Sequence, residues 1–341
     1  MKRELSLSPD VLKFSEELLQ SRGLTFESSK RLRESILHMS DWFIAHPRSQ
    51  TPWKEEWAVD AYLAYYLPLN ELRVRGAVKE GKAVGFFAGL DEVIDYGSGP
   101  GTASFALRSE LPDLQNFRLV ERSSKLMDLV KDRLPTNFQF EKDGNPQGNF
   151  SKTLFVASYS LTETELPTFA LKAEALMIIE PSTHDDGRRL LELRTRLMNH
   201  GYHIWAPCPH QSACPLQVES KRDWCHDRVH VKRPDWLVHL ESELPFRNQT
   251  VTCSYLLARR TPPPVPTWAR LVGDQLEEKG KNRQLMCRGS KREFLTWMHK
   301  NGAPQELPRG SRIQIPKELT MTSNELRVTE TIHVVPGFET V

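Results

Sequence analysis

Residues 92–101 read EVIDYGSGPG, and the next ten read TASFALRSEL. A short apolar run ends at Asp95, glycines follow at alternate positions (Gly97, Gly99, Gly101), and an amphipathic segment then begins. Glycines there let the chain turn sharply, bring backbone close to a ligand and seat the following helix on its strand. A strand before and a helix after are the context in which such a trio binds a ligand at the carboxyl edge of a sheet. A tight turn with no ligand is the competing reading.

The pattern continues outward from this loop. FRLVER, NFQFEKD, KTLFVASYSL, ALMIIEP and YHIWAPC read as strands, and SSKLMDLVKDRL, TETELPTFALKA and RRLLELRTRLMNHG as the helices between them. Strands separated by helices of 10–15 residues predict βαβ units with right-handed crossovers, hence a Rossmann-like, doubly wound α/β sheet. TVTCSYLLARR reads as a further strand, suited to closing the sheet antiparallel. Residues 1–80 carry helical periodicity, residues 209–248 look irregular, and the tail from 267 mixes basic residues with short β-like pieces. The expected organisation is a helical region at 1–80, an α/β domain at 81–260 with an insertion at 208–248, and a basic, β-containing extension at 261–341.

The strand after the loop ends at Glu121, 20 residues beyond Gly101. A carboxylate there accepts hydrogen bonds from both ribose hydroxyls of NAD or of S-adenosylmethionine (SAM). The order D-x-G-x-G-x-G resembles the SAM-dependent class I methyltransferases. That resemblance implies cofactor contacts at Asp95, Gly97, Gly99, Gly101, Glu121, Asp143 and Ser158. It identifies no catalytic residue. The fourth strand ends ASYSLTE, without the proline-aromatic clamp of many amino-group methyltransferases. Pro207–Cys208 lies two strands too late for a 5-methylcytosine nucleophile. Glu180–Thr183 sits at the carboxyl edge and reads equally as a substrate-facing segment or a strand-ending turn.

The 341 residues include 46 Lys+Arg and 44 Asp+Glu, an ordinary globular balance. The longest apolar run, near 83–90, is too short to span a membrane. The opening MKRELSLSPD carries acids and no apolar core, so a cytoplasmic chain is expected. The near-neutral total hides a basic segment, because residues 251–300 hold 10 basic and 4 acidic residues. Such a segment suits a polyanion or a solvated face.

The five cysteines, at 208, 214, 225, 253 and 287, all lie in the second part of the chain. In a reducing compartment that clustering suggests metal or catalysis before disulfides. Two Cys–Pro pairs and a third thiol (APC208PHQSAC214PL, then DWC225H) do not match a zinc ribbon, and thiolates suit zinc and iron–sulfur clusters alike. A fourth ligand must come from Cys287, Cys253, His210, His226 or His230. Cys253 lies in an alternating strand and reads as a packed thiol, so Cys287 is the better fourth ligand.

DYGSGPG, ASYSLTE, IIEPST, APCPHQSACPL, DWCH, SYLLARR and the basic segment around Cys287 resemble, in order, the methyltransferase-like protein 17 family. These are mitochondrial small-ribosomal-subunit assembly proteins with bacterial relatives. The resemblance covers roughly residues 55–300. It implies a SAM-binding class I fold and a [4Fe–4S] cluster on Cys208, Cys214, Cys225 and Cys287, with zinc as the alternative metal. It also implies association with small-subunit rRNA and ribosomal proteins, as a methyltransferase or as an assembly factor whose SAM site is vestigial. Ser182 stands where the family commonly has glycine, and the spacing around the third and fourth cysteines differs. A monomer is expected.

Overall fold

The computed structural model describes residues 2–142 and 144–336. A short strand β1 (Glu4–Ser6) leads into helices α1 (Pro9–Gln20), α2 (Ser29–Ala45) and α3 (Glu56–Ala61). A π-helical turn, Tyr62–Tyr66, joins α3 to α4 (Leu67–Ala83). The α/β series then runs β2 (Glu92–Tyr96), α5 (Thr102–Glu110), β3 (Asn116–Val120), α6 (Ser124–Val130), β4 (Phe138–Glu141), β5 (Thr153–Ser158), β6 (Ala175–Glu180), α7 (His184–Asn199) and β7 (His203–Ala206). Next come α8 (Pro215–Val218), β8 (Asp227–Lys232), α9 (Asp235–Ser242) and β9 (Thr250–Arg259). The remainder is all strand: β10 (Ala269–Glu278), β11 (Lys281–Cys287), β12 (Glu293–Met298), β13 (Arg312–Ile313), β14 (Thr320–Thr322) and β15 (Glu325–Arg327).

The first sheet has the order β1-β8-β9-β6-β5-β2-β3-β4, with β7 also paired to β9. Strands β2 to β6 are mutually parallel, and β9 runs antiparallel to β6, β7 and β8. The order reverses between β2 and β5, so the loop after β2 opens at the topological switch point, where such sheets bind ligands. This is the Rossmann-like arrangement expected, including the antiparallel closing strand. One apolar core packs α1–α5 against the sheet, and a second packs α7 against the opposite face.

Three features differ from the sequence reading, while the β-containing extension expected at 261–341 is present as a second sheet. The helix expected over TETELPTFALKA is two short 3₁₀ turns, Ser160–Thr162 and Thr168–Lys172, because Pro167 has no amide hydrogen and cannot continue a helix. The insertion is not irregular: in β8, Asp227, Val229 and Val231 are buried while Arg228, His230 and Lys232 are not, the period-two pattern of a strand. The boundary at 80 falls inside α4, whose buried side shares the core of the α/β sheet. The extension is a six-stranded sheet, β13-β10-β11-β12-β15-β14, with its own core of Leu271, Met286, Leu295, Trp297 and Ile313.

A buried ionic network joins these parts. The Arg3 guanidinium donates to Glu80 at 2.6 Å and to both carboxylate oxygens of Asp227. Arg270 reaches the same two acids at 3.0 and 2.9 Å. All four side chains are nearly inaccessible to solvent. Arg312, also buried, approaches Glu80 at 3.6 Å, so the two acids sit among three arginines, and such pairing is the condition for burying ions at all. Removing one charge leaves a buried cation uncompensated, at a cost of about 3–5 kcal/mol. Asp227→Asn is therefore expected to lower unfolding stability by roughly 3 kcal/mol or more in urea titrations; a change below about 0.5 kcal/mol, the size of an ordinary surface effect, would refute that role.

Candidate functional site

The glycine loop is built as a cradle. Gly97, Gly99 and Gly101 have φ of 66°, 55° and 91°. At Gly97 a Cβ would also lie 2.5 Å from the Ser160 Cβ, so only glycine lets the segments that follow β2 and β5 approach here. Glu121 ties the loop to β3: Oε2 accepts from the Gly99 amide at 3.0 Å and Oε1 from the Ser123 amide at 2.8 Å. Each carboxylate oxygen has two acceptor sites, so each keeps capacity for a ligand hydroxyl. The Ser158 hydroxyl lines the same cleft, buried and without a hydrogen-bond partner among the described residues.

Two of the expected contacts serve the loop instead of lining the cleft. Asp95 is buried beneath it and accepts from the Ser104 amide at 3.1 Å and the Ser104 hydroxyl at 2.8 Å. Burial pushes its carboxyl up to about 6, against the lowering effect of the Ser104 hydrogen bonds. Gly101 caps α5 and packs towards Leu119. Asp143 lies outside the described residues.

The cleft above the loop has a volume of about 1550 Å³ and is walled by the N-terminal helices. Trp53, Tyr62, Tyr66 and Arg73 all line it. Sequence reasoning passed over them; the only signal was the tyrosine-rich run YLAYY inside an otherwise helical stretch.

The cysteines converge on a second place. Cys208 follows β7, Cys214 precedes α8, Cys225 precedes β8 and Cys287 ends β11, yet all four line one pocket. Cys253 is absent from it, buried in β9 with its thiol towards the Arg73 carbonyl. Burial pushes the Cys225 thiol up to about 12, and the neighbouring Cys208 adds to the rise. Of the histidine alternatives, only His210 touches the group, its Nε2 standing 3.3 Å from the Cys287 sulfur. Burial, then the Arg194 charge, lowers His210 to about 4.

Arg194 tests what this pocket suits. It is 1% exposed, its Nε donates to the Cys208 sulfur at 3.3 Å, and its Nη2 donates to the His210 and Ser212 carbonyls at 3.0 and 2.9 Å. No carboxylate pairs with it among the described residues. A buried guanidinium needs a nearby negative charge. Four protonated thiols supply none, whereas metal-bound thiolates supply it, so the donor set fits a thiolate-held metal group. Among the described residues, no three His, Cys, Asp or Glu side chains are grouped closely enough to share a single ion. A four-iron cluster asks less of them, because each thiolate binds its own iron.

Residues 57–302 match the family described as mitochondrial small ribosomal subunit Rsm22. The chain belongs to the Rsm22 family. No curated protein matches it. Among solved structures, it is similar to a plantazolicin methyltransferase crystallised with SAH (TM-score 0.36, 10% identity, 69% of this chain and 98% of the other). A precorrin-6y C5,15-methyltransferase from Geobacter metallireducens (0.34, 12%, 53% and 86%) and an rRNA methylase from Streptococcus thermophilus (0.31, 12%, 54% and 96%) are also similar.

The basic segment of this Rsm22-family chain is less free than its count suggests. Of its ten basic residues, Arg259, Arg270, Lys281, Arg283, Arg288 and Arg292 make ion pairs among the described residues. Only the remaining four, Arg260, Lys279, Lys291 and Lys300, are left to carry uncompensated charge. No helix among the described residues is long and apolar enough to cross a membrane.

Gly97 provides the sharpest local test. Gly97→Ala places a Cβ against Ser160 at a left-handed φ, so it is expected to distort the loop and weaken SAH binding at least tenfold by calorimetry. Unchanged binding would show that the loop is not the ligand cradle.

Proposed function

We propose that this protein is a SAM-binding, methyltransferase-fold component of small-ribosomal-subunit assembly that contacts rRNA and carries an iron–sulfur cluster. The observation that supports it most is Glu121, whose Oε2 holds the glycine loop through the Gly99 amide, whose Oε1 accepts from the Ser123 amide, and whose remaining acceptor sites face the switch-point cleft. SAM, when bound, supplies an electrophilic methyl group. In this chain Glu121 would hold the ribose, the backbone of Gly97 and Gly99 would admit the cofactor closely, and the helical wall would exclude water. The rRNA reading draws on the family description.

Whether methyl transfer occurs is a separate question from binding. Glu180 is the one buried acid at the carboxyl edge with neither carboxylate oxygen hydrogen-bonded among the described residues, and burial, reinforced by Asp186, raises its carboxyl to about 8. It is absent from the cleft lining, whereas Glu163 lines it, with burial raising its carboxyl and its Oε1 accepting from the Thr51 amide and hydroxyl at 3.0 and 2.8 Å. A vestigial SAM site on an assembly factor is the second reading.

Calorimetry with SAM and SAH tests the core of the proposal. Wild type should bind, and Glu121→Ala should weaken binding by about 10- to 100-fold, the range for hydrogen bonds to a charged acceptor. No binding to metal-loaded wild type would overturn the SAM reading.

The metal is tested independently. Cys208, Cys214, Cys225 and Cys287 would hold the cluster, and Arg194 would balance its negative charge. Protein purified without oxygen should absorb broadly near 400 nm and contain about four irons per chain. Cys208→Ser and Cys287→Ser should lose the iron, and Cys253→Ser should keep it. One zinc per chain and no iron would replace the cluster by the zinc alternative.

A further inference from the structure

The cleft is larger than one cofactor requires. Its volume of about 1550 Å³ exceeds the roughly 300–1,000 Å³ of ordinary small-molecule sites. Part of it lies against the helical wall, where the π-helical turn sits. Such turns inside α-helices are frequent at functional sites, and this one sets Tyr62 and Tyr66 into the cleft with ring centroids 6.3 Å apart and planes within 23°. The Tyr62 hydroxyl is tied to Thr102 at 3.2 Å, holding that ring over the glycine loop. Trp53 meets it edge-on at 4.8 Å. Tyr66 stands one step further from the loop.

Arg73 follows in α4. Its Nη1 donates to the Asn70 side-chain oxygen at 2.7 Å, and no carboxylate pairs with it among the described residues. Its charge reaches the hydroxyls of both Tyr66 and Tyr159. Tyr159 has a left-handed φ of 62°, an uncommon state for a bulky residue and one that clusters at functional sites. The Tyr159 and Ser160 hydroxyls, like that of Ser158, are buried in the cleft wall without hydrogen-bond partners among the described residues.

We propose that this end of the cleft is a subsite for one unstacked nucleotide of single-stranded RNA, with Tyr66 and Tyr62 as stacking faces and Arg73 as the contact to a phosphate or base edge. The assignment rests on the reading of the loop as a SAM site and of the chain as rRNA-associated. Aromatic planes, a guanidinium and unpaired hydroxyls are the groups by which proteins hold splayed-out bases. A lysine or arginine side chain as the occupant would be repelled by Arg73. Elsewhere in the cleft lining, Arg48, Lys54 and Arg122 make no ion pairs among the described residues and offer positive charge to a phosphate backbone, beside the acids Glu55, Asp185 and Asp186 of the same lining. A base inside a duplex cannot reach the subsite.

The test uses the full, metal-loaded chain with saturating SAH. A fluorescent random-sequence RNA dodecamer carrying 4-thiouridine is titrated and then irradiated. Crosslinks should fall within residues 53–73 or at Tyr159, and duplex RNA of the same length should not compete. Tyr66→Leu and Arg73→Gln should each weaken dodecamer binding by about tenfold, in line with losing a base-stacking contact, with SAH affinity unchanged within twofold. Crosslinks confined to the β10–β15 sheet, binding changes below twofold in both variants, or a cleft that takes a basic peptide and no RNA would each overturn the subsite. Loss of SAH affinity in both variants would assign these residues to the cofactor and overturn it too. Failure of wild type to bind SAH would sink the SAM reading, while the RNA measurements still decide the subsite.

Discussion

Two arginines and two acids, buried together, hold this protein's parts in register. Arg3 immediately precedes the first strand, Glu80 comes from the last turn of α4, Asp227 from the head of β8 and Arg270 from β10. None has a solvent route to neutralise its charge, so each depends on its buried partners, which for Glu80 include Arg312 at 3.6 Å. The N-terminus, the helical wall, the insertion and the second sheet are thereby fixed at one point. The network anchors α4, from which Arg73 reaches the cleft, and the π-helical turn that leads into α4 brings Tyr66 to the same cleft. Strand β9 does the complementary work along the sheet, pairing with β6, β7 and β8 in turn.

The parts of this arrangement that were legible in the sequence are those with local causes. The alternation of apolar runs and amphipathic helices announced the parallel sheet, and D-x-G-x-G-x-G announced the cradle after β2. The antiparallel closing strand was legible because TVTCSYLLARR is apolar along most of its length. The failures also have local causes. Pro167 defeated a helix that periodicity alone favoured. In DRVHVK the alternation was masked by charged and histidine residues on the outward face. Arg194 lies in RRLLELRTRLMNHG, where it looks like one more charge on a solvent face, and only the fold shows it buried against Cys208. The cleft's aromatic wall was not legible at all, because nothing in YLAYY tells which side of a helix meets a loop 30 residues away.

Charge counting misled in a related way. A segment with ten basic and four acidic residues reads as a polyanion-binding face, but acids from elsewhere in the chain, including Glu80, Glu174, Asp223, Asp227 and Glu325, neutralise much of it. Net charge over a window describes a chain laid out straight. The field outside the folded protein depends on which charges already have partners.

The placement of the cysteines has a thermodynamic consequence. Cys208, Cys214 and Cys225 belong to loops of the first sheet, whereas Cys287 is the last residue of β11 in the second. Anything that engages all four sulfurs binds only when the two sheets are docked. By linkage, its binding free energy is added to the stability of that docking and withdrawn when it leaves. Emptying the pocket also leaves the Arg194 guanidinium facing neutral thiols, a buried charge with no counterpart. Any occupancy of a pocket at the seam and the cohesion of the two halves would therefore be a single equilibrium.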